Sequence, residues 1–292
     1  MNSTTTSLRT PVGIHQTLES LPHPGGGRIP VRAWTSRSST RTPVVILHGL
    51  QSHAGWFTHS AEYLAQSGFS VYAMDRRGSG LSREARGHCT DFHDLIREVE
   101  VAVRHSAHSH HVSQVHLLGH CFGAILALAY ACTFPKNVRS LVLATPGLFT
   151  RIGLPLRTIL NVLLAHACGR TINVSIPLAP AMFSELDAYA SFIADDPLAL
   201  HEMTGSFVVQ CFKARRFIRR HSSRLSVPIM VCCAGLDEIS DNAKTRRWFD
   251  AVPAISKVLI EYPKAKHLLE FSGHQQDFFA DLRWWFQRHN GT

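Results

Sequence analysis

The seven cysteines of this 292-residue chain include no Cys-x-x-Cys pair. Zinc sites and dithiol redox centres are therefore poor expectations, as is a disulfide framework. Several of the cysteines sit inside apolar runs, which fits reduced, intracellular thiols, and a cytoplasmic location is expected. Met1 to Thr10 is polar and lacks the apolar core of a signal peptide. The longest apolar stretch, Leu154 to Cys168, is interrupted by Arg157 and is too short to span a bilayer. It could still lie on a membrane surface or against an acyl chain as an amphipathic helix, or simply pack a cap onto the core. Acidic residues are scarce beside basic ones, giving a net charge of +9, yet no nucleic-acid-binding signature accompanies the excess. Phosphorylated thioesters, acidic carrier proteins or anionic lipid are better matches for it than nucleic acid, and solubility alone is the plain alternative. Internal repeats are also missing.

What is present is globular: 45% hydrophobic and 17% charged residues. The first 28 residues, rich in Thr, Ser, Pro and Gly, read as a flexible leader ending in a turn at Gly25-Gly26-Gly27. From Arg41 onward short apolar runs alternate with helical spacing. Strands are expected at Val44–Leu47, Phe69–Met74, Val115–Leu118, Val138–Ala144, Val227–Cys233 and Lys257–Glu261. Helices are expected between them, one of them capped by Asp91. This is an α/β fold, a mostly parallel sheet with helices on both faces. The rhythm lapses over 147–201, which holds Pro155, Pro177, Pro180 and Pro197 and reads as an insertion over the ligand-binding edge of the sheet. The core then comprises 29–146 and 202–292.

Chemistry-bearing residues fall at strand ends. Gly119-His120-Cys121-Phe122-Gly123 follows one strand and opens a helix, the strand–elbow–helix setting of a G-x-S-x-G nucleophile with Cys in place of Ser. Side chains in place of the two glycines would collide with neighbouring backbone. The helix N-terminus favours a thiolate and a developing oxyanion. Asp237 follows the strand Val227–Cys233 and suits the carboxylate that orients a histidine, while Asp241 better suits the cap of the helix near Asn242. His267 comes last, completing the order nucleophile, acid, histidine; His274 is the runner-up. After the strand Val44–Leu47, His48-Gly49-Leu50 places the Leu50 N–H to pair with that of Phe122 as an oxyanion hole. No metal or other cofactor is expected.

These residues resemble the α/β-hydrolase superfamily, and within it the monoacylglycerol lipase and lysophospholipase-like branch. The features that carry the resemblance are His48-Gly49-Leu50 with His53, Asp75-Arg76-Arg77-Gly78-Ser79-Gly80-Leu81-Ser82, the elbow at Cys121, Gly235-Leu236-Asp237 and His267. The resemblance implies an acyl hydrolase or acyltransferase with a helical cap or lid, a role that 147–201 fits, a triad at Cys121, His267 and Asp237, a covalent acyl-enzyme, and substrate contacts from His48, Gly49, His53 and His120. The departure is the cysteine. Cysteine elbows resemble those of dienelactone hydrolases and polyhydroxyalkanoate synthases, whose other patterns this chain does not follow. A thiolate suits thioesters and activated esters, CoA-bound or carrier-bound, better than plain glycerides. The competing readings are a carboxylesterase or lysophospholipase with Cys replacing Ser, and a non-catalytic ligand-binding protein. The basic segment Phe212 to Arg224, with Phe212, Phe217 and Ile218 interleaved, is a candidate surface for a phosphate-bearing partner or a solvated helix face.

Overall fold

The structure, a computed structural model, describes residues 6–8, 13–23, 25–36, 41–82 and 85–290. Among these, nine strands form one sheet: β1 (Thr6–Leu8), β2 (Ile14–Pro22), β3 (Arg28–Ser36), β4 (Val44–Leu47), β5 (Val71–Met74), β6 (Val115–His120), β7 (Val138–Ala144), β10 (Ile229–Ala234) and β11 (Lys257–Tyr262), in the order β1-β2-β3-β5-β4-β6-β7-β10-β11. A two-stranded ribbon, β8 (Asn173–Ser175) with β9 (Glu202–Thr204), lies between β7 and β10 in sequence. The six strands from β5 to β11 pair in parallel, and β1 to β3 form an antiparallel flank. Four of the parallel strands, β4, β5, β6 and β10, are buried along their whole length, which is why they read as unbroken apolar runs.

Eight α-helices accompany the strands in the described residues: α1 (Thr58–Gln66), α2 (Phe92–Ser109), α3 (Phe122–Thr133), α4 (Leu156–Ala167), α5 (Asp187–Asp195), α6 (Gly205–His221), α7 (Asn242–Ala251) and α8 (Gln275–Arg288). Asp91 caps α2 through the His93 N–H, and Asp241 caps α7 through the Lys244 N–H. The α3 sequence is small and apolar all round, and every residue from Phe122 to Ala131 is buried. It is the central helix, packed on β6, β7 and α6. Two buried clusters lie on the two faces of the sheet, one around α2, α3 and α6 and the other around α1 and α8.

Two expectations are corrected. The leader expected over 1–28 is strand from Ile14 to Pro22, hydrogen-bonded residue for residue with β3 from Ser36 to Arg28. Only Ile14, Gln16 and Leu21 of β2 are buried, so this half-exposed flank lacks the apolar run that marks the parallel strands. The expected glycine turn does close the β2–β3 hairpin, with Gly26 and Gly27 at φ +87° and +88°. The remainder of the leader, 1–5, 9–12 and 24, lies outside the described residues. The cap boundary expected at 201 falls inside a structural unit: β8 pairs with β9, and α4 packs against α6, so the insertion is closed by elements that run to His221.

Candidate active site

Cys121 sits between β6 and α3 with φ +52° and ψ −111°, a backbone conformation that L-residues rarely adopt and that marks a strained turn. The flanking glycines explain why the turn closes. A Cβ on Gly119 would lie 2.5 Å from the Gly123 carbonyl oxygen, and one on Gly123 would lie 2.0 Å from that of Leu47. The elbow therefore presses α3 directly onto the end of β4 and brings Cys121 beside the loop His48-Gly49-Leu50.

Asp237 and His267 meet at the neighbouring strand ends. Asp237 Oδ1 accepts the backbone N–H groups of Ile239 and Ser240, both at 2.8 Å, which fixes the carboxylate. His267 Nδ1 lies 3.0 Å from Oδ1 and 2.9 Å from Oδ2 and donates to the pair; both side chains are fully buried. The other ring nitrogen, Nε2, has no well-aligned hydrogen bond, and Cys121 is the thiol whose charge couples to it. Burial opposes a charged imidazole, yet Asp237 and Cys121 together hold the His267 pKa well above its ordinary value. Burial likewise pushes the Cys121 thiol up, but His267 and the Leu50 N–H outweigh it and draw it below the ordinary thiol value. By contrast, burial raises Cys89 and Cys132 to about 12 and Cys211 and Cys233 to about 11. Asp241, the alternative acid, is committed to its helix cap and Lys244. His274, the alternative histidine, lies beside Asp277 at the start of α8.

The loop below the thiol is built to present one amide. Gly49 N–H is taken by Ser52 Oγ at 2.8 Å, while the Leu50 N–H favours the Cys121 thiolate and lowers its pKa. A Cβ on Gly49 would lie 2.9 Å from His120 and 3.2 Å from Cys121 Cβ, so glycine is what permits this approach. Phe122 starts α3, and its amide is among the free donors of the helix N-terminus.

The histidines expected to touch substrate do other work. His48 is held at both ring nitrogens: Nε2 lies 3.2 Å from the Arg76 backbone N, and Nδ1 lies 2.9 Å from Gly49 O and 3.0 Å from Arg76 Nη1. Burial holds it neutral, with its pKa well below the ordinary histidine value. His120 Nε2 donates to the His267 carbonyl at 3.2 Å and its ring packs on Phe57, behind the triad; burial lowers its pKa to about 3. His53 is bound to Asp196 at 2.8 Å and accepts the Gly55 N–H, which ties the loop after β4 to the end of α5. All three are buried, and none lines the cavity; His120 Nδ1 has no hydrogen-bond partner among the described residues.

Sequence reasoning passed over Arg76. Its guanidinium is 2% exposed and forms no ion pair among the described residues. It donates to the carbonyls of Gly49 and Leu50 and lies over the rings of Phe122 and Phe207 at 5.4 and 5.7 Å. The Gly49 carbonyl belongs to the same planar peptide unit as the Leu50 N–H. A cation on that oxygen fixes the peptide and polarises the amide that favours the Cys121 thiolate.

Above Cys121 opens a cavity of about 340 Å³. It is lined on one side by Leu50, Cys121 and Phe122, and elsewhere by residues of the 147–201 segment and α6, including Leu154, Ile159, Ile176 and Phe212. An activated thiol, an imidazole able to carry protons and an amide donor thus converge at the base of an apolar pocket. That combination suits acyl transfer.

Fold and site together define an α/β-hydrolase enzyme. A family model described as "Serine aminopeptidase, S33" matches residues 38–272, and the chain belongs to that family. Among curated relatives it is similar to a monoacylglycerol lipase of Mycolicibacterium smegmatis, 25% identical over 91% of this chain and 95% of that one. It is also similar to a human monoglyceride lipase, 26% identical over 97% of this chain and 95% of the relative. Of solved structures, a soluble variant of the monoglyceride lipase from Saccharomyces cerevisiae superposes with a TM-score of 0.83 at 18% identity, covering 98% of this chain and 99% of that one. A Paleococcus ferrophilus monoacylglycerol lipase gives 0.78 at 23% identity, over 85% and 96%. At these identities the structural matches establish the shared fold.

Proposed function

We propose that the protein is an acyl hydrolase or acyltransferase in which Cys121 is the nucleophile of a Cys121–His267–Asp237 triad. The observation that carries this is the thiol itself. It stands in the strained elbow under the Leu50 amide, beside an imidazole anchored by a buried carboxylate. In the first step the Cys121 thiolate attacks the acyl carbonyl and a C–S bond forms, with the oxyanion held by the N–H groups of Leu50 and Phe122. The bond to the departing oxygen or sulfur breaks as His267 gives that atom its proton. In the second step His267 takes a proton from water or an acceptor alcohol, whose oxygen attacks the thioester carbon, and the thiolate leaves. Asp237 keeps the imidazole in the required tautomer throughout.

A thiolate exchanges one thioester for another at little cost, so thioesters, including CoA-bound or carrier-bound ones, and activated esters are the substrates this nucleophile serves best. A lipid ester is the second reading. Its support is the similarity to monoglyceride lipases and the outward face of α4, where Leu156, Leu160, Leu163 and Leu164 are all at least half exposed. Such a face suits contact with a lipid surface. No helix of the described residues is long and apolar enough to cross a membrane.

Intact-mass measurement after brief exposure to acyl thioesters and aryl esters tests the proposal. An acyl increment is expected on the wild-type protein and not on Cys121→Ala, whose turnover should fall by orders of magnitude. An adduct that persists on Cys121→Ala, or near-normal turnover by it, would refute the nucleophile. Comparing thioesters with monoacylglycerols on the same preparation decides between the two substrate readings.

A further inference from the structure

The basic segment that ends α6 divides by helical spacing. Val208, Cys211, Phe212 and Arg215 recur at three- and four-residue intervals, so they share one face, and all four line the cavity. Arg216, Arg219 and Arg220 are exposed and do not line the cavity; Arg219 shares the face of Arg215 but lies one turn further along the helix. Arg215 is held against the nucleophile's neighbour. Its Nε donates to Gly147 O at 3.2 Å, and a Cβ on Gly147 would lie 3.5 Å from Cys121 Sγ. Among the described residues, no carboxylate lines the cavity, and Arg215 makes no ion pair; its two Nη atoms have no protein partner. Arg151, the other cation of the lining, is exposed at the mouth and also feels Asp241. A half-buried guanidinium with both terminal nitrogens unfilled, in a pocket otherwise largely apolar, is a fork shaped for two oxygens of one anion.

We propose that Arg215 binds an anionic group, carboxylate or phosphate, that the substrate carries close to its scissile bond. This deepens the acyl-transfer reading and rests on it for the word substrate; the anion site itself does not. The preferred substrate is then an acidic acyl compound rather than a neutral glyceride. The chain's excess of positive charge assists the approach of such a molecule.

The test uses matched pairs with one acyl length. Acyl-glycerol is set against acyl-glycerol phosphate for the phosphate arm, and a dialkyl diester against the half-ester of a dicarboxylic acid for the carboxylate arm. Wild type should favour the anionic member of one arm by about tenfold or more in kcat/KM, the size of a charge-assisted hydrogen bond. Arg215→Met should bring that ratio close to one, Arg215→Lys should keep part of it, and the exposed pair Arg219→Met/Arg220→Met should leave it intact. A second readout needs no turnover. Cys121→Ala protein should bind dodecyl phosphate or dodecanoate more tightly than dodecanol by calorimetry, and adding Arg215→Met should remove the difference; melting curves confirm that each variant is folded. Equal kcat/KM within both pairs and equal binding of the three probes would overturn the proposal, as would an equal loss from the Arg219/Arg220 pair. Arg215-dependent anion binding without turnover or adduct would leave the anion site standing and remove the acyl-transfer reading. Turnover without discrimination would do the reverse.

Discussion

At the scale of single residues, the site depends on a few groups whose surroundings overrule their usual behaviour. Cys121 is one of seven thiols, and it alone has an imidazole and an amide to offset the cost of its burial. Arg76 is the opposite case, a buried charge that makes no close ion pair among the described residues and donates to the carbonyls of Gly49 and Leu50. Burial lowers its pKa only to about 10, so it stays charged at neutral pH. Because its bond to Gly49 O acts on the peptide that carries the Leu50 N–H, Arg76 is a positioning residue for the oxyanion donor. Arg76→Met should lower kcat by about tenfold or more and approach the roughly 10²–10³ loss of a missing oxyanion donor, with KM little changed. Arg76→Lys should recover part of the loss. Steady-state kinetics on folded variants would check this; a rise in KM at constant kcat would assign Arg76 to ground-state binding instead.

At the scale of elements, the elbow works because β4, β6 and α3 approach one another more closely than any side chain allows. Gly123→Ala should destabilise the protein by several kcal/mol, since its Cβ would overlap the Leu47 and His48 carbonyls, which belong to the sheet and the oxyanion loop. Gly153→Ala, whose Cβ meets nothing within 4 Å, should change stability little. Denaturant unfolding of both variants measures the contrast. The same elements show what the sequence could reveal. The parallel strands, the elbow glycines and the Asp237 and His267 positions were legible because each has a local signature: a buried run, a turn that requires glycine, an order along the chain. Strands β2 and β3 were not, since an antiparallel flank with one wet face carries polar residues such as Thr17, Glu19 and Arg32 through its length. The role of Arg76 and the Asp196 bond of His53 were not legible for a related reason. A charged residue in a loop reads as solvated, and only the tertiary structure supplies the two carbonyls or the Asp196 carboxylate that justify burying it.

At the scale of the whole molecule, the number of buried titratable groups makes stability a function of pH with a definable maximum. Burial lowers the pKa values of His48, His116 and His120, the last two to about 3, from an ordinary 6.5. The unfolded chain therefore takes up three protons that the folded state refuses, and their contribution to stability falls as pH drops below 6.5. Burial raises Glu98 to about 7 and Glu270 to about 8 from an ordinary 4.5. In these two the folded state keeps its proton longer, so their contribution is complete below pH 4.5 and is lost as pH rises through 7 and 8. Between 4.5 and 6.5 the three histidines outnumber the two carboxyls and stability climbs slightly; above 6.5 the histidine effect is spent and the carboxyls make it decline. His267, raised by its partners, adds to that decline. The free energy of unfolding should therefore peak near pH 6.5 and be lower at pH 8.5. Glu270→Gln, which keeps an oxygen for the Ser60 N–H and has no proton to lose, should narrow the difference between the two pH values. Urea unfolding of both proteins at pH 5, 6.5 and 8.5 would test the prediction. A wild-type protein more stable at pH 8.5 than at 6.5 would mean that the buried carboxyls ionise at little cost, with the histidines and cations around them absorbing the charge.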